Sequence, residues 1–289
     1  MDIQVKNNDI ILKNVKDFNL EHIFDCGQAF RFNKTRKNTY TGVAFGQALT
    51  ISQSDDEVIL YNTTYESFVN VWYNFFDFDN DYSKIKSTLA TDKFMREATE
   101  HGYGIRILRQ DLWETIISFI ISASNNVPRI KGIIERLCEA FGDEVEYMGN
   151  VYHTFPHPGK LAALSIDDLS VIRAGFRDKY ILDAANKISE GIISLDAIKS
   201  MSTPDAKSAL MSINGIGNKV SDCILLFGLN RQDSFPVDVW IKRIMEYCYF
   251  TNEQPINVIS DYAKEKFGNL GGYAQQYLFF WARENEIGV

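Results

Sequence analysis

Cysteine is scarce in this sequence of 289 residues, and the four cysteines lie far apart. No Cys-x-x-Cys pair occurs, so the pattern argues against a zinc site and against a disulfide framework. Hydrophobic runs long enough to span a membrane are also lacking, and the N-terminal segment has no feature of a signal peptide. We therefore expect an intracellular protein that does not contact a membrane.

Positive charge is in deficit as well. The chain has 30 lysines and arginines against 38 aspartates and glutamates, which gives a formal net charge of −8. It therefore lacks the bulk basic excess that is typical of proteins that bind nucleic acids. Contact with a polyanion would need a local basic face. The residues that could form such a face are Arg106, Arg109, Arg129, Lys131, Arg177, Lys179, Lys242 and Arg243.

The hydrophobic pattern changes near residue 100. Between Asp9 and Tyr61 apolar and polar residues alternate, which is typical of an antiparallel sheet. Beyond Arg109 the apolar residues follow helical spacing almost throughout. We predict an α+β fold, in which a twisted antiparallel sheet domain over residues 1–100 precedes a mostly helical body over residues 101–289. A helix-hairpin-helix motif is expected at about residues 204–228.

The hairpin is predicted from a Gly-x-Gly turn between two helical segments. Ser202 is a suitable N-cap for the first helix, and a proline follows in its first turn. Gly215 and Gly217 permit positive φ and leave no Cβ, so another backbone can approach closely. The free N–H groups at the start of the second helix, near Asn218, suit an anion such as a phosphodiester. A tight helical hairpin without any ligand accounts for the glycines equally well.

Lys219 and Asp238 add chemistry to this hairpin. Lysine is unusual in a first helical turn because the helix dipole disfavours a cation there. The same field favours the neutral amine that a nucleophile requires. Asp238 follows a proline among apolar neighbours, where a carboxylate can stabilise positive charge on a sugar ring. Asp238 can equally be the N-cap of the next helix, and Asp222 lies one turn after Lys219, where it could orient the amine.

Four segments, in order along the chain, resemble one family. Gly-Ile-Gly-Asn-Lys at 215–219 with Pro-Val-Asp at 236–238 is similar to the helix-hairpin-helix DNA glycosylase superfamily. Segments 25–32, 120–142 and 273–279 resemble the 8-oxoguanine DNA glycosylases within it, and the similarity spans nearly the whole chain. Branches with a four-cysteine iron–sulfur loop are disfavoured, because only Cys248 follows the second hairpin helix.

The resemblance implies a bifunctional repair enzyme that excises 8-oxoguanine from DNA. Lys219 would attack C1′ of a nucleotide whose oxidised base has been flipped out of the duplex. The resulting Schiff base would permit β-elimination, which nicks the strand. Asp238 would stabilise the oxocarbenium-like transition state and orient the lysine.

The resemblance also implies a pocket for the flipped base. The Gly27 carbonyl would accept a hydrogen bond from N7–H of 8-oxoguanine, a hydrogen that guanine lacks. Phe279 would stack on one face of the base, Cys223 would approach the other face, and Gln275 would bind the Watson–Crick edge. Phe279 and Cys223 also fit a packed core, because both fall on apolar helix faces.

A third set of residues is implied around the base opposite the lesion. Arg129 and Arg177 match two arginines that contact the unpaired cytosine, and an arginine suits the acceptor edge of that base. Phe176 occupies the position of an aromatic wedge. Ser124 stands where the family has a gap-filling asparagine, and Asn125 could substitute for it. We expect a preference for cytosine that this shorter side chain relaxes.

The remaining implied contacts hold the DNA backbone. They would be made by Gly215, Gly217, Val220 and Trp240, the last of which replaces a phosphate-binding histidine. A structural monovalent or calcium ion would bind three backbone carbonyls of the hairpin, those of Met211, Ile213 and Ile216. No redox or organic cofactor is implied. The expected partner is double-stranded DNA containing oxidised guanine, and the expected state is a monomer.

Two alternatives remain open from the sequence. An alkylated-base DNA glycosylase would keep Asp238 but would not need Lys219, so it would release a base without nicking the strand. A non-catalytic helix-hairpin-helix module would bind DNA or protein and would tolerate replacement of Lys219.

Overall fold

The computed structural model describes residues 1–55 and 57–287. Within them, six strands form one antiparallel sheet in the spatial order β1-β2-β6-β5-β4-β3, and two more strands form a separate hairpin. The strands are β1 (Asp2–Lys6), β2 (Asp9–Lys13), β3 (Asn33–Arg36), β4 (Thr39–Ala44), β5 (Gln47–Gln53), β6 (Glu57–Tyr61), β7 (Glu144–Tyr147) and β8 (Asn150–His153).

Helices make up most of the remaining chain. They are α1 (Leu20–Phe24), α2 (Tyr65–Ser67), α3 (Tyr73–Phe75), α4 (Tyr82–Leu89), α5 (Lys93–His101), α6 (Leu112–Ser122), α7 (Val127–Phe141), α8 (Pro158–Ala162), α9 (Ile166–Leu169), α10 (Asp178–Ser189), α11 (Leu195–Ser200), α12 (Thr203–Met211), α13 (Asn218–Gly228), α14 (Val239–Tyr249), α15 (Ile256–Phe267) and α16 (Gly271–Glu284). A π-helical turn (Phe68–Trp72) joins α2 to α3, and three 3₁₀ turns occur at Ser170–Ile172, Gly175–Arg177 and Gly268–Leu270. The predicted α+β order, with the sheet before a helical body, is confirmed.

The sheet is held by apolar rows that cross its strands. Leu60 of β6 pairs with Ile10 of β2 on one side and with Ile51 of β5 on the other. All three side chains are buried, because strands alternate the faces on which successive residues lie. Trp72 of the π-helical turn packs in the same cluster and covers this face. The sheet domain therefore has its own hydrophobic core.

The helical body has a second core, and the two cores interleave along the chain. Met95 and Ala98 of α5 belong to the body core although they precede residue 100. Leu108 belongs to the sheet core although it follows residue 100. The division at residue 100 therefore remains a prediction from the sequence pattern.

The hairpin of β7 and β8 was not expected from the sequence. Its two strands have four residues each and are largely exposed, so their alternation gives little signal. The Tyr147 hydroxyl donates to the Tyr61 carbonyl (2.7 Å) and accepts from the Thr50 N–H (2.9 Å), which ties the hairpin to the sheet domain. Across the described residues, no helix is long and apolar enough to cross a membrane.

Candidate active site

The predicted helix-hairpin-helix consists of α12 and α13. Ser202 caps α12 by accepting from the Asp205 N–H, as its sequence position predicts. Gly215 has φ of +87°, and a Cβ there would lie 2.6 Å from ring carbons of Tyr180. The turn therefore requires glycine at 215 for two reasons, the left-handed backbone and the close approach of an aromatic ring.

Asp183 of α10 anchors the turn from outside the motif. Its carboxylate accepts from both the backbone N–H and the side-chain amide of Asn214, each at 2.8 Å. Lys187, one turn further along α10, pairs with Asp183 at 2.9 Å and donates to the Ser212 carbonyl at 2.6 Å. These contacts fix the hairpin against α10. Sequence reasoning missed them because Asp183 lies 31 residues before Asn214.

The start of α13 has the geometry of an anion site. Gly217 is the N-cap, and the helical ladder begins with the bond from the Ser221 N–H to the Gly217 carbonyl (2.9 Å). The N–H groups of residues 218–220, Val220 included, precede that bond and point out of the helix end. A Cβ at Gly217 would meet no atom within 4 Å. The space beside Gly217 is therefore open to an approaching phosphate.

We predict that replacement of Gly215 mainly affects stability, whereas replacement of Gly217 mainly affects DNA binding. Gly215→Ala should lower the free energy of unfolding by about 2–4 kcal/mol, because a left-handed backbone penalty adds to a steric clash. Gly217→Ala should lower it by only roughly 0.5–1 kcal/mol, the cost of a poorer N-cap, and should weaken duplex binding. Denaturant unfolding and a duplex titration of both variants measure this. Equal DNA affinity for Gly217→Ala and the parent would contradict the phosphate contact.

Lys219 lies in the first turn of α13 and is partly exposed. Its Nζ is 5.6 Å from the ring centroid of Phe119, a residue of α6. Cys223 lies one turn further along α13, and burial raises the pKa of its thiol to about 11. The nearby charge of Lys219 opposes that rise. The thiol is therefore neutral near pH 7.

Asp238 is the N-cap of α14, as predicted. One carboxylate oxygen accepts from the Ile241 N–H at 2.8 Å, which holds the side chain in one orientation. Besides the larger effect of burial, the negative charge of Asp238 raises the pKa of the Cys223 thiol, whereas the charge of Lys219 lowers it. Asp222 does not orient the amine: it pairs with Lys207 of α12 at 2.6 Å. That suggestion from the sequence is wrong because Asp222 faces the first hairpin helix.

The residues predicted to bind the flipped base form a second group. Gly27 has φ of +83°, and a Cβ there would lie 3.5 Å from Cε1 of Phe279. Gln275 lies one turn before Phe279 on α16. Its Oε1 is buried and has no hydrogen-bond partner among the described residues. A buried acceptor without a partner is costly and indicates a site for a donor from outside the chain.

The residues predicted to read the base opposite the lesion differ in their exposure to solvent. Phe176 is 58% exposed on the turn after Gly175, as a wedge requires. The Arg177 side chain is only 2% exposed. Its guanidinium donates to the carbonyls of Ala123, Ala174 and Ser124. In this structure Arg177 therefore holds the α6–α7 connection and does not project into solvent.

The other three predicted residues lie on the α6–α7 connection and in the first turn of α7. Ser124 is exposed and has φ of +50°, an uncommon backbone for a residue other than glycine. Asn125 turns its side chain back to the Ile121 carbonyl (3.1 Å), so it does not extend toward a partner. Arg129 is exposed on the first turn of α7, and its charge lowers the pKa of Arg177 in addition to the larger effect of burial. Arg129 is therefore the accessible arginine of the pair.

The remaining predicted positions lie at helix ends. Trp240 is partly exposed in the first turn of α14, two residues after Asp238. Met211 ends α12, and Ile213 and Ile216 follow in the turn, where the Ile213 carbonyl accepts from the Ile216 N–H at 3.2 Å. Carbonyls at a helix C-terminus lack intrahelical donors, and each carbonyl oxygen has two lone pairs. The donor chemistry of these three carbonyls therefore fits a hard cation.

A tight hairpin, a lysine at the start of its second helix and an aspartate capping the next helix together define a helix-hairpin-helix base-excision protein. Comparison with known families agrees. Residues 10–116 match the 8-oxoguanine DNA glycosylase N-terminal domain, and residues 117–266 match the HhH-GPD superfamily of base excision DNA repair proteins. The chain belongs to the 8-oxoguanine DNA glycosylase family.

Individual relatives are similar over most of their length. A probable N-glycosylase/DNA lyase of Methanothermobacter thermautotrophicus is 30% identical over an alignment of 232 residues, which covers 73% of this chain and 72% of that protein. The Clostridium acetobutylicum 8-oxoguanine glycosylase/lyase, in complex with double-stranded DNA containing cytosine opposite 8-oxoguanine, has a TM-score of 0.96 and 40% identity over 99% of both chains. The structure of MBOgg1 with a low-affinity DNA ligand has a TM-score of 0.97 and 43% identity over 99% of both chains.

Proposed function

We propose that the protein is a bifunctional DNA glycosylase that flips out and excises 8-oxoguanine opposite cytosine, and then nicks the strand. The observation that carries this proposal is the placement of Lys219 in the first turn of the second hairpin helix, with Asp238 capping the next helix, in a chain that matches both family models. A lysine and a carboxylate at the starts of two successive helices can supply both a nucleophile and a stabilising negative charge. A glycosylase of alkylated bases without lyase activity would need only the carboxylate.

The chemistry follows from the two charged groups. The neutral Lys219 amine forms a bond to C1′ as the bond from C1′ to the base nitrogen breaks, and the electron pair leaves with the base, which takes up a proton. Asp238 stabilises the positive charge that develops on the sugar. Loss of the amine proton and opening of the sugar ring give an imine. Removal of a C2′ proton then breaks the C3′–oxygen bond, which nicks the strand.

Discrimination against guanine rests on a single hydrogen. The Gly27 carbonyl accepts from N7–H of 8-oxoguanine, whereas guanine presents an acceptor at N7. An unmatched buried acceptor disfavours guanine by roughly 1–3 kcal/mol. The unpartnered Oε1 of Gln275 is available to the Watson–Crick edge of the same base. Phe279 and the Cys223 thiol enclose the two faces.

We propose that Arg129 reads the opposite cytosine while Arg177 holds the connection that presents it. The exposure of Arg129 and the carbonyl contacts of Arg177 support this division. Arg129→Ala should reduce the preference for C over A opposite the lesion by about 5- to 100-fold, the value of one bidentate base contact. Arg129→Lys, which keeps the charge but loses the planar fork, should lose most of that preference and retain overall DNA affinity. Excision rates on the four opposite bases measure it, and unchanged ratios would reject the assignment.

The DNA backbone contacts belong to the hairpin. We propose that the N–H groups after Gly217, including that of Val220, bind a phosphate, and that Trp240 at the start of α14 also contacts the DNA backbone. A structural monovalent or calcium ion at the carbonyls of Met211, Ile213 and Ile216 would add positive charge there. The reaction requires no redox or organic cofactor. We further propose a monomer, which light scattering would test.

Borohydride trapping tests the proposed function. The substrate is a duplex with one 8-oxoguanine, paired in turn with C, A, G and T. A covalent protein–DNA adduct, highest in rate opposite C, is expected. Release of free base without an adduct would favour a hydrolase that depends on Asp238 alone. If a folded protein gives neither adduct nor base release, the result would favour the alternative of a non-catalytic helix-hairpin-helix module.

A further inference from the structure

Gln28, the residue after Gly27, is fully buried and fully bonded. Its Nε2 donates to the carbonyls of Ile23 (2.9 Å) and Arg106 (2.7 Å), and its Oε1 accepts from the Leu108 N–H (2.8 Å). Both amide hydrogens therefore have a partner, so the burial of this polar side chain is compensated. The bonds fix the Gln28 backbone against the segment that leads into α6.

Gln110 links the same backbone to the helix of the nucleophile. Its Nε2 donates to the Gln28 carbonyl at 2.8 Å, and its own N–H donates to the Phe227 carbonyl at 3.1 Å. Phe227 lies in the last turn of α13. Lys219 and Phe227 lie eight residues apart on one face of that helix, with Cys223 midway. A bridge of hydrogen bonds through Gln28 and Gln110 thus joins the Gly27–Gln28 segment to the Lys219 helix.

We propose that Gln28 and Gln110 are positioning residues, which hold the Gly27 carbonyl at a fixed place relative to the Lys219 amine. This inference rests on the proposed function. Gly27 lacks a side chain that could restrain its own backbone, and its positive φ lies where glycine moves freely. The carbonyl belongs to the peptide group that Gln28 completes, so the contacts of Gln28 determine where it points.

The bridge matters because recognition and chemistry use different groups. The Gly27 carbonyl contacts the base, and Lys219 attacks the sugar to which that base is attached. If the carbonyl shifts relative to the amine, a base seated on Gly27 no longer places C1′ in line with Nζ. A displacement of about 1 Å can lower a rate by about 100-fold. An abasic site has no base to seat, so its cleavage by Lys219 does not depend on the bridge.

Gln110→Leu removes the amide that donates to the Gln28 carbonyl and puts an apolar side chain of similar size in its place. We expect single-turnover excision of 8-oxoguanine opposite C to fall about 10- to 100-fold. Strand cleavage at a preformed abasic site should stay near the parent rate in the same preparation. The readout is the ratio of the two rates, which a loss of folded protein does not change.

Gln53→Leu is the matched control. Gln53 also joins two backbone groups, accepting from the Leu20 N–H (3.0 Å) and donating to the Phe18 carbonyl (2.7 Å), but it belongs to β5. Its replacement removes two side-chain hydrogen bonds, whereas Gln110→Leu removes one, and it should still leave the ratio unchanged.

An unchanged ratio in Gln110→Leu overturns the proposal, whatever the absolute rates. If that variant does not fold, the same ratio in Gln28→Met decides the question by the same criterion. Failure of the proposed function would appear differently, because the parent protein itself would then release no 8-oxoguanine.

Discussion

Replacement of Lys219 by glutamine should abolish the covalent adduct with 8-oxoguanine DNA and lower base excision by at least roughly 10³-fold, the scale seen when a nucleophile is removed. Glutamine has no amine that can form an imine. Lesion binding should persist, because Gly27, Gln275 and Phe279 are unchanged. Borohydride trapping and a duplex titration of the variant measure the two quantities.

The free energy of unfolding of Lys219→Gln serves as an internal control for correct folding. Loss of the contact between Nζ and the Phe119 ring removes about 0.5–1 kcal/mol. Loss of a cation from a first helical turn restores about 0.3–1 kcal/mol. The two effects largely cancel, so the free energy of unfolding should change little. A variant that binds the lesion and still turns over would reject a covalent mechanism through Lys219.

Asp238→Asn should separate the two roles of the aspartate. Asparagine is as good an N-cap as aspartate, so the bond to the Ile241 N–H and the unfolding free energy should be retained. The negative charge near the sugar is lost. Excision should then fall about 10²- to 10³-fold, the usual consequence of removing one preorganised electrostatic contact. Single-turnover excision and denaturant unfolding test the two halves of this prediction.

Asp238→Ala is the matched variant, since it removes the charge and the cap together. It should show the same loss of excision and an additional loss of about 1 kcal/mol in unfolding free energy. If Asp238→Asn excised 8-oxoguanine at the parent rate, Asp238 would be a helix cap with no part in the chemistry.

Local patterns predicted the helix-hairpin-helix well, because the interactions that form it are local. A serine cap, a glycine turn and an apolar helical repeat act over a few residues, and α12 and α13 follow them. The hairpin of β7 and β8 escaped prediction because the contact that stabilises it is remote. Tyr147 binds Thr50 and Tyr61, which lie about ninety residues earlier in the chain.

The orientation of the arginines illustrates a second limit. Arg129 and Arg177 are indistinguishable as residue types, and the sequence assigned both to the opposite cytosine. The structure buries Arg177 against the carbonyls of residues 123 and 124 and leaves Arg129 exposed. Five N–H donors suit either task, so only the packed environment decides which one a guanidinium performs.

The sequence by itself determined the α+β fold and the hairpin, because each depends on residue types at short spacing, and the same local pattern led to Lys219 as the proposed nucleophile. Only the tertiary structure decided how these parts are coupled. The Lys219 amine lies over Phe119 of a different helix, and Gln110 joins the Gly27 segment to the end of α13. Such contacts join residues that are remote in sequence, and they exist only after the two cores have packed.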